Sequence, residues 1–136
     1  MKFLFDASSM VEVIKSCEEE KTLRLLSDNC ILDLTKYEVG NTLWKERTLS
    51  QAIEADEFRE LLHLLRTIIP RTKVLSVDAQ DLPDVAEVAE KERITFYDAS
   101  YVTIAKAQNL TLVTEDTNLA KAASKHTKTV PAKDVL

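Results

Sequence analysis

The sequence predicts an α/β domain in which a parallel β-sheet of four to five strands is flanked by helices on both faces. Short apolar segments alternate with segments of helical periodicity along the whole chain, which is typical of strand–helix–strand units. The short segments lack polar alternation, as is usual for strands buried on both faces. One glycine and three prolines leave no flexible linker, so the chain is expected to form a single domain, residues 1–136.

The first half of the chain contains two predicted strands. Residues 2–5 are mostly apolar and are predicted to form the first strand, and Ser8 or Ser9 is expected to cap the following helix. A long helix is expected to begin after Ser50 and to end at Pro70, because the proline ring cannot continue it. The predicted elements of this half are strands at 2–5 and 30–34 and helices at 10–15, 18–26, 35–47 and 51–69.

The second half continues the same alternation. The helix at 78–93 is expected to be entered through Pro83, and Asp98 is expected to begin the next helix. The predicted elements of this half are strands at 74–77, 110–113 and 129–130, the last at the sheet edge, and helices at 78–93, 98–107 and 117–125.

Charge and composition restrict the classes of function. The chain has 18 basic and 23 acidic residues and a net charge of −5, which argues against a nucleic-acid coat protein but not against a metal-dependent nuclease. No apolar run approaches the roughly 18 residues of a membrane span, and the opening MKFLFD is too short and too acidic for a secretory signal, so a cytoplasmic location is expected. Cys17 and Cys30 share no motif spacing and are expected to be reduced.

Four acids are candidates for the chemistry: Asp6, Glu38, Asp98 and Asp116. Open parallel sheets bind ligands outside the carboxyl ends of their strands. Asp6 directly follows the first predicted strand and Asp116 follows the fourth, whereas Glu38 and Asp98 lie near the starts of helices. These positions predict that all four carboxylates project over one edge of the sheet.

Each acid also has a purely structural explanation. Glu38 completes a capping-box pattern with Thr35. Asp98 is suited to a helix N-cap, and Asp116 to a turn closed on its own backbone. Asp6 is the hardest to explain in this way, because an unpaired carboxylate half buried at the end of a strand is costly.

Four carboxylates in one pocket repel one another unless a cation is bound. Oxygen ligands favour Mg²⁺ or Mn²⁺, and neither His63 nor His126 lies at the spacing expected of a zinc ligand. Such a metal suits phosphoryl chemistry. Other classes fit less well. A phosphorelay receiver domain needs paired acids after its first strand, and a haloacid-dehalogenase-like phosphatase needs Asp-x-Asp where the chain has Asp6-Ala7-Ser8.

Four segments carry a family resemblance, in this order along the chain: FLFDAS, LTKYEVGN, TFYDASYVTIAK and LVTED. They resemble the PIN-domain family, and in particular the VapC-like ribonuclease toxins of type II toxin–antitoxin systems. The resemblance covers nearly the whole chain and implies a PIN-like, Rossmann-like sheet. It also implies that the catalytic residues and the ligands of Mg²⁺ or Mn²⁺ are Asp6, Glu38, Asp98 and Asp116, with Asp6 and Asp98 the most direct ligands.

The resemblance assigns supporting roles to four further positions. Ser8 and Thr114 match hydroxyls that orient carboxylates or water, although helix capping and strand propensity are the structural explanations for them. Asn41 lies three residues after Glu38, hence on the same helical face, and is suited to bind a phosphate or a metal-bound water. Asn118 stands where many relatives carry a further acid, so occupancy of a second metal position is left open.

The reaction implied by the resemblance is endonucleolytic hydrolysis of RNA that leaves a 5′-phosphate and a 3′-hydroxyl. The resemblance also implies a homodimer and a VapB-like antitoxin that covers the acidic groove, without membrane association. Two alternatives remain: a non-catalytic PIN-like RNA- or protein-binding module, and a PIN nuclease with a housekeeping role in RNA processing.

Two sets of residues suggest surfaces for partners. One core face is not expected to bury all the apolar residues of the predicted helix 51–69, which are Ile53, Phe58, Leu61, Leu62, Leu64, Leu65, Ile68 and Ile69. The basic residues that bind RNA phosphates if they reach the groove rim, and otherwise form a solvated surface, are Lys36, Lys45, Arg47, Lys121, Lys125 and Lys128.

Overall fold

The structure is a computed structural model, and it describes residues 2–136. The strands are β1 (Phe3–Phe5), β2 (Cys30–Leu32), β3 (Lys73–Leu75), β4 (Thr111–Val113) and β5 (Thr129–Val130). The α-helices are α1 (Ala7–Ser16), α2 (Glu19–Ser27), α3 (Thr35–Trp44), α4 (Ala55–Ile68), α5 (Leu82–Glu92), α6 (Phe96–Ala107) and α7 (Thr117–Ala123). All strand pairs are parallel, in the order β3-β2-β1-β4-β5, so the predicted fold class is confirmed.

The centre of the sheet is β1, whose Leu4 lies opposite Cys30 of β2 and Leu112 of β4. The chain builds outward from β1 through β2 and β3, and then returns to add β4 and β5 on the other side. The crevice at the carboxyl ends of β1 and β4 is therefore the topological switch point, where open parallel sheets bind ligands. Asp6 and Thr114 are the first residues after these two strands.

The hydrophobic core has two layers, one on each face of the sheet. Alternate residues of a strand point to opposite faces, so Leu4 packs in one layer and Phe5 in the other. The layer with Phe5 contains residues of α1 to α4, among them Met10, Leu26, Val39 and Leu65. The layer with Leu4 is filled from α6 and α7 by Tyr101, Val102, Ile104 and Leu119. Helices on both faces explain why the strands carry no polar alternation.

The prediction of one long helix at 51–69 is wrong at its start. The chain leaves α3 through a π-helix at Lys45–Leu49, which Ser50 ends by donating its N–H to the carbonyl of Lys45 at 3.0 Å. Gln51 then adopts a left-handed conformation (φ 51°). This turn carries Ile53 into the core, where it is 5% exposed, and α4 begins only afterwards. The burial of Ile53, and not the capping pattern at Ser50, therefore determines where α4 begins.

Two predicted helix caps are also wrong. Ser8 and Ser9 do not cap α1, because their hydroxyls donate to Asp6 and to the carbonyl of Val113, respectively. Asp6 is itself the N-cap and accepts the N–H of Ser9 at 2.9 Å. Asp98 does not begin α6, since the helix starts two residues earlier, at Phe96, under a Thr95 cap.

The apolar residues of α4 are mostly covered within the monomer. Leu61, Leu65 and Ile68 are buried, and Phe58, Leu64 and Ile69 pack against the same layer while partly exposed. Leu62, which is 38% exposed, is the one large apolar residue of α4 that lies clearly at the surface. The expectation that one core face does not bury all of these residues is therefore confirmed. None of the helices in residues 2–136 combines the length and apolar character needed to cross a bilayer.

Candidate metal centre

The four predicted acids line one cavity of about 470 Å³ at the carboxyl ends of the central strands. Each comes from a different part of the chain. Asp6 caps α1 and Asp116 caps α7, whereas Glu38 and Asp98 lie in the first turns of α3 and α6. The free N–H groups of a helix start carry partial positive charge, so these positions stabilise carboxylates before any cation is considered. The remaining lining residues are Ala7, Ser8, Val11, Asn41, Thr42, Lys45 and Tyr101.

Asp6 is the most buried of the four, at 5% exposure. Its Oδ1 accepts hydrogen bonds from the Ser8 hydroxyl at 2.8 Å and the Ser9 N–H at 2.9 Å, and its Oδ2 accepts one from the Thr114 hydroxyl. Burial raises the pKa of the Asp6 carboxyl above its ordinary value, although these three donors lower it. The side chain is thus held rigidly at the sheet edge. Its hydrogen-bond donors do not fully offset the cost of burying its charge.

Glu38 is not part of a capping box. The Thr35 hydroxyl accepts the N–H of Leu32 and contacts the Tyr101 hydroxyl, so it does not cap α3. The Tyr101 hydroxyl in turn donates to Glu38 Oε1 at 2.7 Å. Burial raises the pKa of Glu38, and the negative charges of Asp98 and Asp6 raise it further. The structural explanation for this acid therefore fails, and Glu38 faces the cavity.

Asp98 and Asp116 complete the cluster. Burial raises the pKa of the Asp98 carboxyl, and the charges of Asp116 and Asp6 add to this effect. Asp116 is exposed, and its Oδ1 accepts the N–H groups of Asn118 at 2.9 Å and Leu119 at 3.0 Å. The predicted structural role of Asp116 is therefore real, yet its charge still acts on Asp98. The acids form one electrostatic group.

The predicted supporting residues behave differently from one another. Ser8 lines the cavity, and its hydroxyl lies 3.2 Å from the hydroxyl of Thr114. Thr114 does not line the cavity itself, but its hydroxyl donates to Asp6, which does. Asn41 also lines the cavity. Asn118 does not, and its contribution within the described chain is the backbone N–H that it donates to Asp116. Occupancy of a second metal position near Asn118 therefore stays open.

Tyr101 was missed by the sequence reasoning. It lies three residues after Asp98, so the two side chains share a helical face, and this spacing was the available signal. Burial raises the pKa of the Tyr101 hydroxyl far above its ordinary value, and the neighbouring Glu38 charge adds to this effect. Tyr101 is therefore a permanent hydrogen-bond donor beside the acids.

Of the six basic residues proposed for the groove rim, Lys45 is the one that lines the acidic cavity. Lys125 instead pairs with Glu92 at 3.0 Å, beside a contact of 2.8 Å between His126 and the same carboxylate. These side chains belong to a different cavity, between α5 and α6, which contains none of the four acids. Lys125 therefore does not reach the acidic groove, because Glu92 binds it elsewhere.

The donor set fits a hard divalent cation by its chemistry, since it consists of carboxylate oxygens without a nearby histidine or thiol. Within residues 2–136, however, no three His, Cys, Asp or Glu side chains come close enough together to hold a metal ion as they stand. The carboxylates of Asp6, Glu38 and Asp116 are instead turned toward their own hydrogen-bond donors. The acids must therefore move closer together before they can hold one cation.

Comparison with known proteins places the chain in a family. The family model described as PIN domain matches residues 3–125. The chain is 36% identical over 119 residues to a protein of Pyrobaculum aerophilum named exonuclease VapC9, a match that covers 88% of this chain and 84% of that protein. It is 33% identical over 125 residues to ribonuclease VapC3 of the same organism, with 89% and 94% covered.

Solved structures show the same fold. A crystal structure of a Pyrobaculum aerophilum protein superposes with a TM-score of 0.79 at 31% identity and covers 98% of this chain and 92% of that one. DNA-bound VapBC from Salmonella typhimurium gives 0.69 at 18% identity, with 97% and 98% covered, which shows likeness of fold alone. Because the family model spans most of the sequence and two relatives exceed 30% identity, the chain belongs to the PIN domain family.

Proposed function

We propose that this chain is a metal-dependent endoribonuclease and the toxin of a VapBC-type pair, acting as a single cytoplasmic domain. The observation that carries the proposal is the meeting of Asp6, Glu38, Asp98 and Asp116 in one cavity at the switch point of the sheet. The two curated relatives are named as an exonuclease and a ribonuclease, which supports nuclease chemistry at this site. All four acids are present, which speaks against a non-catalytic PIN-like module.

The four acids are the residues that would hold Mg²⁺ or Mn²⁺. When bound, such a cation activates water and stabilises charge on phosphoryl oxygens. Asp6 is held in place by the donors on α1 and at the end of β4, and Glu38 by Tyr101. Burial and the charges of Asp116 and Asp6 raise the pKa of Asp98, so a nearby positive charge would favour its charged form.

The residues that bind the substrate lie on α3 and at the start of the π-helix that continues it. Asn41 and Thr42 lie three and four residues after Glu38, and Lys45 follows them by four and three residues. The four residues therefore form one stripe that leads away from the other acids. Lys45 is exposed and forms no ion pair with any residue in 2–136, which leaves its ammonium group for a phosphate. Asn41 can donate its amide to the same backbone. The stripe provides a local site for RNA on a chain whose net charge is negative.

The central experiment uses linear and circular RNA of the same sequence with Mg²⁺, Mn²⁺ or excess EDTA. A circle has no end, so its cleavage distinguishes endonuclease from exonuclease action. We expect the wild-type chain to cut both forms with either metal and neither form in EDTA. Asp98→Asn should abolish cutting, whereas Asp84→Asn, the same change in the first turn of α5, should not.

The results that contradict the proposal are equally specific. Cleavage in excess EDTA, or full activity of Asp98→Asn, refutes the metal-dependent mechanism. Cutting of linear RNA alone assigns exonuclease action, as in the name of one relative. No cutting by the wild-type chain at any metal concentration favours the binding-module alternative.

A VapB-like antitoxin and a second copy of the chain are the proposed protein partners. Structures of similar fold are described as VapBC complexes from Salmonella typhimurium and Rickettsia felis, and as FitAB bound to DNA. An antitoxin would cover the acidic cavity with a basic side chain, which supplies the positive charge that the acids lack. Sedimentation that shows only monomer at micromolar concentration would contradict the homodimer. A neighbouring antitoxin-like reading frame would favour the toxin over a housekeeping nuclease.

A further inference from the structure

A relay of hydrogen bonds runs from the sheet to one of the four acids. The N–H of Leu32, the last residue of β2, donates to Thr35 Oγ1 at 3.1 Å. The hydroxyls of Thr35 and Tyr101 lie 2.7 Å apart, and the Tyr101 hydroxyl donates to Glu38 Oε1 at 2.7 Å. The relay thus connects β2, α3 and α6 and ends on a carboxylate of the cavity.

The direction of every proton in the relay follows from donor and acceptor chemistry. The Leu32 N–H is a donor only, and the Glu38 carboxylate is an acceptor only. The hydroxyl of Tyr101 has one proton, which goes to Glu38, so its contact with Thr35 must be one in which Thr35 donates. In the reverse direction, the tyrosine proton would go to Thr35, and the Tyr101 oxygen would face the Glu38 carboxylate with no proton between them. The relay therefore runs one way, and all its protons are used.

Burial and spacing make the relay rigid. Thr35 is 0% exposed and Tyr101 is 1% exposed, with the tyrosine ring packed in the layer that contains Leu4. Thr35 lies one turn before Glu38 on α3, and Tyr101 lies one turn after Asp98 on α6. Each helix therefore presents one acid to the cavity and one hydroxyl beneath it, and the two hydroxyls bond to each other.

We propose that Tyr101, with Thr35 behind it, is a positioning residue that fixes the Glu38 carboxylate in the orientation that binds the metal. This inference rests on the proposed metal-dependent nuclease and names residues of that same site. Within residues 2–136, Tyr101 is the donor that reaches this carboxylate, and it occupies Oε1, which leaves Oε2 for a cation. Loss of such an outer hydrogen bond typically weakens metal binding or activity by about 10- to 100-fold.

The test measures Mn²⁺ affinity without RNA, from the electron paramagnetic resonance signal of free Mn²⁺. Tyr101→Phe removes one oxygen and keeps the buried ring, and we expect it to weaken Mn²⁺ binding about tenfold. Thr35→Val should weaken binding in the same direction, and Thr35→Ser, which keeps the hydroxyl, should restore it. Tyr97→Phe is the matched control, because Tyr97 lies on the same helix but is 64% exposed. Melting in EDTA reports whether each variant is folded.

A second background separates positioning from a general structural effect. In Glu38→Ala the relay has nothing to position, so adding Tyr101→Phe should leave Mn²⁺ affinity unchanged. Equal weakening in both backgrounds, or wild-type affinity in Tyr101→Phe, overturns the relay; if that variant does not fold, Thr35→Val decides in the same way. A wild-type chain that binds Mn²⁺ through the relay but cuts no RNA refutes the nuclease alone, and one that takes up no Mn²⁺ overturns both.

Discussion

Replacing Asp6 by asparagine should make the metal-free protein more stable while removing its activity. Asparagine caps a helix about as well as aspartate, so α1 keeps its start. Its amide oxygen can still accept from Ser8 and Ser9, and the Thr114 hydroxyl can turn to accept from the amide nitrogen. What is lost is a charge in a site that is 5% exposed and shared with three other acids.

The sign of the effect follows from the Asp6 pKa. Burial raises this pKa in the folded chain, so the charged form is less stable there than in the unfolded chain. Each unit by which a pKa is raised is worth about 1.4 kcal/mol, so we expect Asp6→Asn to gain on the order of 1 kcal/mol at pH 7.5. That gain corresponds to an increase in Tm of about 4 °C. It should vanish as pH falls below about 4, where Asp6 is protonated in both states.

Bound metal should reverse the order of stability of the wild-type chain and Asp6→Asn. Free Mn²⁺ at about 100 times its Kd stabilises a folded protein by about 2.7 kcal/mol, provided that the unfolded chain does not bind it. The wild-type chain should gain this amount, and Asp6→Asn should gain little. In saturating Mn²⁺ the wild-type chain should therefore be the more stable by roughly 1 to 2 kcal/mol.

Urea denaturation followed by circular dichroism, in EDTA and in Mn²⁺, measures both differences. Asp33→Asn is the matched control, because Asp33 follows β2 as Asp6 follows β1 but is exposed. The control should match the wild-type chain in both buffers. The reasoning is refuted if Asp6→Asn is less stable than wild type in EDTA, or if Mn²⁺ stabilises the two proteins equally.

Other predictions test single features. Lys45→Met should raise KM for RNA without changing kcat and lower the slope of log affinity against log salt by about 0.7, the value of one phosphate contact on a single strand. Gly40→Ala should stabilise α3 by about 1 kcal/mol in urea denaturation, because nothing lies within 4 Å of the added methyl group. Thr103→Val should raise stability by about 1 kcal/mol in the same assay, since the buried Thr103 hydroxyl has no hydrogen-bond partner in the described chain. Glu92→Gln should lower Tm at pH 7, because contact with His126 and Lys125 lowers the pKa of Glu92. The loss should shrink as pH falls below about 4.5, and it should disappear below the lowered pKa of Glu92 in the folded chain.

The fold class was predictable because it depends on patterns that are local in sequence. Apolar strands followed by amphipathic helices identify parallel strand–helix units, and even the two-residue strand β5 was found in this way. The order of the strands was not predictable, since nothing in Cys30–Leu32 or Thr111–Val113 specifies which side of β1 each joins. The start of α4 was missed for a related reason: burial of Ile53 is a tertiary effect, and it overrides the local signal of Ser50.

The candidate site was predictable where position along a strand determines it. Asp6 and Asp116 follow strands, so the topology alone brings them to one edge. Tyr101 and Lys45 contribute only because α6 and the end of α3 reach the same cavity, and neither helix sequence specifies that arrangement. Helical spacing does relate Tyr101 to Asp98 and Lys45 to Glu38, but it cannot say which of the many residues at such spacing face a cavity.

The structural and functional explanations of these acids turn out not to be alternatives. Asp6 caps α1 and Asp116 caps α7, and in each the capping oxygen is Oδ1. The capping hydrogen bond fixes the side chain relative to its helix, and the second carboxylate oxygen points in a different direction. For Asp116, Oδ2 accepts no hydrogen bond within residues 2–136, so a cation could bind it without breaking the cap. Asp6 differs, because its Oδ2 holds Thr114, and a cation there must share that oxygen with the hydroxyl. Replacing the Thr114 hydroxyl should therefore change metal affinity, whereas loss of the Asp116 cap should mainly change the stability of α7.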